Sequence, residues 1–315
     1  MRGFRSFCHC VENHMNSLFP NRPIVLVVPF PLGHPSDFAA RRIAPRLADL
    51  LHQPVTVENW PGASGSTGAE RMKHKAPDGY TLMIHGVNGF AIAPHVMEVG
   101  YDPIRDFSPV MKLHSAPLVL VVNFALPVTT VQDLSAYAKA NPAKVNGGSF
   151  GSATNAHLAL VLFNQITGLK IPHTEYVGGT QIAADLIAGK FQLMFDFPNV
   201  VVPHIKAGHL KALAVTSNRR SVVLPNVPTF SEAGVQGMEM TGWQGMFAPA
   251  GTPPNIIAKL NAALAKIQEM PEVRKEVEDV FTVESGTPEE FATFIKAEHE
   301  RWGKVIREGK IRLTE

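Results

Sequence analysis

Ile24–Arg42, IVLVVPFPLGHPSDFAARR, fixes the class of this chain. Its first five residues are apolar and mostly β-branched, the pattern of a strand buried on both faces. A turn containing Pro and Gly follows, and from Phe38 the apolar residues recur at helical spacing as far as Leu51. Strand, turn and amphipathic helix make the first half of a βαβ unit. The turn can be a simple connection, a phosphate cradle or one jaw of a small-molecule site, because open α/β sheets bind ligands beyond the carboxyl ends of their strands.

Beyond this unit the alternation repeats. Val55–Val57 and Tyr80–Ile84 read as strands, with a Gly-rich turn and a short helix between them. A second series comprises a helix near Val131–Ala140, the strand and turn of KVNGGSFGSATN, a helix from Ala156 to about Ile166, and strands near Phe191–Phe195 and Leu210–Val215. From Pro253 the chain reads as helices, each opening near a proline that suits the first helical turn. Two apolar extended segments, Pro117–Asn123 and about Met240–Phe247, bracket the second series and read as strands crossing between lobes. The expected fold is therefore α/β and two-lobed, each lobe a mixed or parallel sheet flanked by helices, with the crossing strands as hinge. Residues 1–20 form a leader expected to be disordered, 21–121 plus 240–315 a discontinuous first lobe, and 122–239 the second.

Composition narrows the function. The chain has 315 residues, 45% hydrophobic and 18% charged, and a formal charge of +2. Such a balance provides no electrostatic footprint for nucleic acid or an anionic membrane, and no run of about 18 apolar residues is present to cross a bilayer. The two cysteines, Cys8 and Cys10, both lie in the leader, and the rest of the chain suits an oxidising compartment. Their Cys-His-Cys cluster lacks the Cys-x-x-Cys spacing and second ligand pair of a metal site, so neither metal nor cofactor is expected. The leader also lacks the apolar core of a secretory signal, which leaves export without a signal in the sequence as it stands.

Two loops carry the binding argument. In PFPLGHPSDFAARR, Ser36 or Asp37 is placed to cap a helix beginning at Phe38; in SFGSATNAHLAL, Thr154 or Asn155 is placed to cap one beginning at Ala156. Each helix end would leave first-turn N–H groups and a positive dipole end facing the cleft, and two such ends form a pincer for a carboxylate.

Other motifs compete. GGSFG, Gly147–Gly151, fits the Gly-x-Ser-x-Gly nucleophile elbow, and Asp185 or Asp196 with His204 or His209 follows in the order a hydrolase triad requires. GASGSTGAE is neither Gly-x-Gly-x-x-Gly nor a P-loop, so it reads as a turn into a helix. The histidines have no metal-ligand spacing; His52, His74 and His209 are expected at surface turns. Trp60, Trp243 and Trp302 read as packing residues, with Trp243 placed near the cleft by its crossing strand.

The blocks RPIVLVVPF, VENWPGASGSTGAE, APDGYTLM, YDPIRDFSPV, LKALAVTSNRRSVVLPNVPTFSEAG and GWQGMFAPAGTPPNIIAKLNAAL resemble, in order, the signatures of the substrate-binding receptors of tripartite tricarboxylate transporters, the Bug family. The resemblance runs from about Arg22 to Gly303. It implies a Venus-flytrap fold of the type II periplasmic-binding-protein kind, whose two cleft loops hold a small organic anion through backbone amides and ordered water and deliver it to a membrane permease. It implies a periplasmic monomer, with a cytoplasmic location as the alternative in view of the leader. The ligand-binding residues so implied are Phe30, Gly33, His34, Ser36, Asp37, Asn88, Ser149, Gly151, Ala153, Thr154, His157, Tyr176 and Asp196. This chain departs from the family at His34 and Ala153, where glycines are usual, and at Glu175 and Val177 in HTEYVGG, where the family has HVPYKG. An added acid and a missing base argue against a highly charged tricarboxylate. Alternatives are a soluble sensor of the same fold and a serine hydrolase using Ser149.

Overall fold

The computed structural model describes residues 19–311 apart from 33, 150, 152, 177, 178 and 278–280. Residues 1–18 of the leader, with Cys8 and Cys10, and also Gly33 and Val177 therefore lie outside the described residues. In chain order the strands are β1 (Ile24–Val28), β2 (Val55–Asn59), β3 (Thr81–Gly86), β4 (Phe107–Pro117), β5 (Val119–Asn123), β6 (Gly147–Ser149), β7 (His173–Glu175), β8 (Leu193–Asp196), β9 (Leu210–Val215), β10 (Thr241–Pro249) and β11 (Thr282–Val283). The helices are α1 (Pro35–Leu51), α2 (Ser66–Lys73), α3 (Ala93–Val96), α4 (Val131–Ala140), α5 (Asn155–Thr167), α6 (Gly179–Ile187), α7 (Pro198–Lys206), α8 (Pro254–Glu269), α9 (Pro271–Val277) and α10 (Pro288–Gly309).

Two sheets result, with strand orders β11-β4-β10-β3-β1-β2 and β7-β6-β8-β5-β9. In the first, β1 is parallel to both neighbours, Leu26 lying opposite Val57 and Leu82, while β10 runs antiparallel between β3 and β4. In the second, β6 is parallel to β7 and β8, and β5 antiparallel to β8 and β9. Both sheets are mixed, and the fold is the two-lobed α/β architecture that the alternation predicts.

The continuous apolar run of β1 follows from its place inside the sheet, whereas β2, at the edge, alternates exposed and half-buried residues. Helix α1 covers this sheet with Ala39, Ala40, Ile43, Ala44, Leu47 and Leu51, all buried. Ile256, Ile257, Leu260, Leu264 and Ile267 of α8 join the same cluster. Helix α10 starts on a capping box of Thr287 and Glu290 and buries Phe291, Ile295, Trp302 and Ile306. It also reaches the other lobe, where Gln165 Nε2 donates to the Val305 carbonyl at 3.2 Å. None of the described helices is long and apolar enough to cross a membrane.

The chain leaves the first sheet at Leu118, the single residue between β4 and β5, and returns through Met240 into β10. Thr216 pins both passages: its Oγ1 accepts the Leu118 N–H at 2.8 Å and donates to the Met240 carbonyl at 2.6 Å. The Met240 N–H donates in turn to the Thr216 carbonyl at 2.9 Å.

Candidate functional site

Helix α1 begins at Pro35, three residues before the position that the sequence spacing predicts, and its N-cap is His34 rather than Ser36 or Asp37. The cause is Pro35: a residue preceding proline is driven to extended backbone, and His34 has φ −65° and ψ 150°. The first-turn amides are consequently not open to the cleft as expected. Pro35 has no N–H, the Ser36 N–H donates to His34 Nδ1 at 3.1 Å, and the Asp37 and Phe38 N–H groups donate to the His34 carbonyl. The His34 ring stacks on Phe30, centroids 3.9 Å apart. Burial holds His34 down to about 4, against the opposing charge of Asp37. Asp37 itself is turned to Arg41 Nε at 3.1 Å and to Asn59 Nδ2 at 2.9 Å, which ties α1 to β2.

The second loop behaves differently. Thr154 is the N-cap of α5, its Oγ1 accepting the His157 N–H at 3.4 Å and donating to the Gly151 carbonyl at 2.8 Å. The Asn155 and Ala156 N–H groups at the start of the helix have no acceptor among the described residues. Ala153 sits at φ +58°, left-handed backbone that a glycine would adopt without strain. Its N–H donates to His157 Nδ1 at 3.1 Å, and His157 stacks on His173 at 3.9 Å. Burial pushes His157 down to about 4, helped by His173 and opposed by Glu175.

Between the sheets lies a cleft of about 300 Å³. Of the residues named from sequence, Phe30, His34, Ser36 and Asn88 line it from the first lobe and Asp196 from the second. Ser149, Gly151, Ala153, Thr154 and His157 stand on or beside the β6–α5 loop, which reaches the cleft through Asn155. Tyr176 donates its N–H to the Ser149 carbonyl and packs its ring on Phe191; burial and Asp185 raise its phenol. Asn155, named from sequence only as a possible helix cap, also lines the cleft, as do His85, His114, Phe197, Asn199, Val200, Gln244 and Phe281, which sequence reasoning did not name as site residues. His85 and Asn155 were legible as the carboxyl end of a strand and the first residue of a helix. His114, Gln244 and Phe281 carry no such local signal. Trp243 lines the cleft as its strand suggested, with its N–H on Glu298 Oε2 at 3.3 Å, and Trp302 donates to the same oxygen at 3.2 Å. At Gly86 an added Cβ would stand 2.1 Å from the Trp243 carbonyl, so only glycine lets β3 and β10 meet this closely at the cleft wall.

The electrostatics are unusual for an anion site. Among the described residues, no lysine or arginine lines the cleft. Burial holds His85 down to about 3 and His114 to about 4, so both rings are neutral. Burial pushes Asp196 up to about 7, with the Phe197 N–H on its Oδ1 at 2.7 Å opposing. Asp196 Oδ2, Asn88 Oδ1 and Asn155 Oδ1 are buried and have no hydrogen-bond partner among the described residues.

The nucleophile motif also resolves. Ser149 Oγ lies 2.6 Å from His173 Nε2, and donates to the Gly151 carbonyl at 3.0 Å. The histidine at the serine is thus neither His204 nor His209. His52, His74 and His209 are exposed, as expected.

The model described as tripartite tricarboxylate transporter family receptor, TctC, matches residues 39–311. Protein BugT of Bordetella pertussis is 35% identical over 305 residues, which cover 94% of this chain and 91% of that protein. Among solved structures, Rpa4515 of R. palustris with adipate is 33% identical, with a TM-score of 0.78, 93% of this chain and 99% of that chain being covered. MatC (Rpa3494) from Rhodopseudomonas palustris with bound malate is 31% identical, with a TM-score of 0.75, 91% of this chain and all of that chain, 100%, being covered. With the family model spanning most of its length and two such lobes around one cleft, this chain belongs to the receptors of the tripartite tricarboxylate transporter family.

Proposed function

We propose that this receptor works in the periplasm as a monomer, captures a small organic carboxylate in the cleft between its sheets and hands it to the membrane subunits of a tripartite permease. The observation that carries the reading is the open N-terminus of α5 at a cleft lined from both sheets, in a chain whose solved relatives hold adipate and malate. Capture follows from differential contact: with the lobes apart a carboxylate docks on α5, and closure about Leu118 and Met240 adds the first-lobe wall and excludes water. The Thr216 bonds keep the two crossing segments in register as they bend.

The test is a thermal-shift and calorimetric screen of the purified chain against small carboxylates. A ligand that binds only the folded state, present at about 100 times its Kd, stabilises by roughly 2.7 kcal/mol. Saturable binding without turnover is expected. The Ser149–His173 contact favours a hydrolase as a competing reading, but Ser149 is only 1% exposed and its hydroxyl is already engaged by Gly151 and His173. Steady product formation from ester substrates that disappears in Ser149→Ala would reverse this conclusion.

A further inference from the structure

Of the two helix N-termini that the loops bring to the cleft, one has its first amides taken and the other has two without an acceptor among the described residues. At α5 the Asn155 and Ala156 amides have no acceptor among the described residues; at α1 the amide of Ser36 already has one, the Nδ1 of His34. His34 thus occupies from within the place where a carboxylate would sit on the first lobe, and its stacking on Phe30 holds it there. A third helix, α7, also starts at the cleft wall; its first residue, Pro198, has no N–H, and although the Asn199 N–H has no acceptor among the described residues, the acid of Asp196 stands three residues before it and opposes an anion there. One carboxylate group therefore has an unopposed helix end to dock on at α5, while a second meets a taken amide at α1 and a neighbouring acid at α7. Among the described lining residues the one acid is Asp196, 4% exposed, whose Oδ2 has no partner among the described residues. In its ionised form, above about pH 7, an acid in that position repels a second carboxylate and suits an N–H donor. No lysine or arginine among the described lining residues offsets it, and Phe30, Phe197, Val200, Trp243 and Phe281 make the rest of the wall flat and apolar. The volume of about 300 Å³ accepts a single ring with its substituents.

We propose that the cleft selects a monocarboxylate with a flat apolar body that ends in an N–H donor, and that His34 and Asp196 set this selectivity by denying a place to a second carboxylate. The inference rests on the receptor reading and deepens it. The neutral His34 ring keeps its Nε2–H as a single uncharged donor, suited to a carbonyl or ring heteroatom rather than to another anion.

Isothermal titration of the full chain at about pH 8, where Asp196 is ionised, with four probes tests it: 4-aminobenzoate, benzoate, benzene-1,4-dicarboxylate and adipate. 4-Aminobenzoate is expected to bind at least about tenfold more tightly than the para-dicarboxylate, and more tightly than benzoate. His34→Gly, which frees the Ser36 amide while keeping a tolerated N-cap, is expected to narrow the gap by strengthening the dicarboxylate; Asp196→Asn is expected to do the same by removing the acid. Circular dichroism confirms that each variant is folded, and either one alone suffices for the comparison. Should wild type bind the dicarboxylate or adipate as tightly as 4-aminobenzoate, the inference is overturned and the receptor reading stands. A gap that stays unchanged in the folded variants overturns the roles of His34 and Asp196. If folded wild type binds none of the four probes nor any other small carboxylate, the receptor reading fails and takes this inference with it.

Discussion

Replacing Asp196 by asparagine should change the pH dependence of folding in a calculable way. In the folded chain burial raises the Asp196 carboxyl from 3.8 to about 7. At 1.36 kcal/mol per pKa unit, the gap of about three units corresponds to roughly 4 kcal/mol. The folded state holds this proton more tightly than the unfolded state does, so the burden is absent below the unfolded value. It grows as pH rises through the window and is complete above about pH 7. The amide of the Asp196→Asn variant cannot ionise; it keeps the Phe197 N–H on its oxygen and leaves an N–H₂ group where Oδ2 stood, a pH-independent cost of about 1–3 kcal/mol. Near pH 4.5, where the burden is only about 1 kcal/mol, the variant should therefore be no more stable than wild type, and near pH 8 more stable, the difference swinging by about 3 kcal/mol.

Wild type alone does not expose this trend. His34, His85, His114 and His157, all lowered by burial, oppose it: the unfolded chain takes up their protons first as pH falls below about 6.5, so they withdraw stability in acid. The difference between variant and wild type cancels them, provided urea unfolding of both is followed by tryptophan fluorescence and circular dichroism at each pH. A difference curve that stays flat between about pH 4.5 and about pH 8 would sink this account, because Asp196 would then titrate as an ordinary exposed acid.

Two further outcomes follow from the backbone. Thr216→Val keeps the shape of the side chain but strips the bonds to Leu118 and Met240, and should cost about 2–4 kcal/mol in urea unfolding. An unchanged midpoint would mean that the crossing segments are held by packing alone. Ala153→Gly relieves left-handed backbone at φ +58° and should add about 0.5–1 kcal/mol. A loss in thermal denaturation would show instead that the methyl group packs usefully in the loop.

How much of the fold was legible depended on how locally each element is determined. Helix α4 is read residue for residue, because a Thr130–Asp133 capping box opens it and Asn141-Pro142 closes it. The parallel strand β1 announces itself through an unbroken apolar run. Strand β4 does not: Pro109, Lys112 and His114 interrupt its pattern, and its conformation is imposed by pairing with β10 and β11. The short strands β7 and β11 have too few residues to show a period at all. For α1 the helical spacing is right and the start is late, since Pro35 reads as a turn residue although it is also the favoured first residue of a helix.

The site divides along the same line, and the two loops show where sequence reasoning stops. Both read as a turn leading to a capped helix, and on that ground both predict an anion-binding N-terminus. Their states are opposite because of one side chain. Whether a helix end is open depends on whether a nearby group already accepts its N–H groups, and a histidine two residues before Ser36 can do so only if its ring folds back to aim Nδ1 at that amide. That choice is made by the stacking surface of Phe30, at the end of another element, and by burial that keeps the ring neutral and able to accept. Thr154 instead accepts the His157 N–H, one position past the Asn155 and Ala156 amides, and leaves those two amides without an acceptor among the described residues. A capped helix is thus not the same thing as an open anion site. The identity of the cap and the amide it takes decide which of the two loops in this cleft can hold a carboxylate.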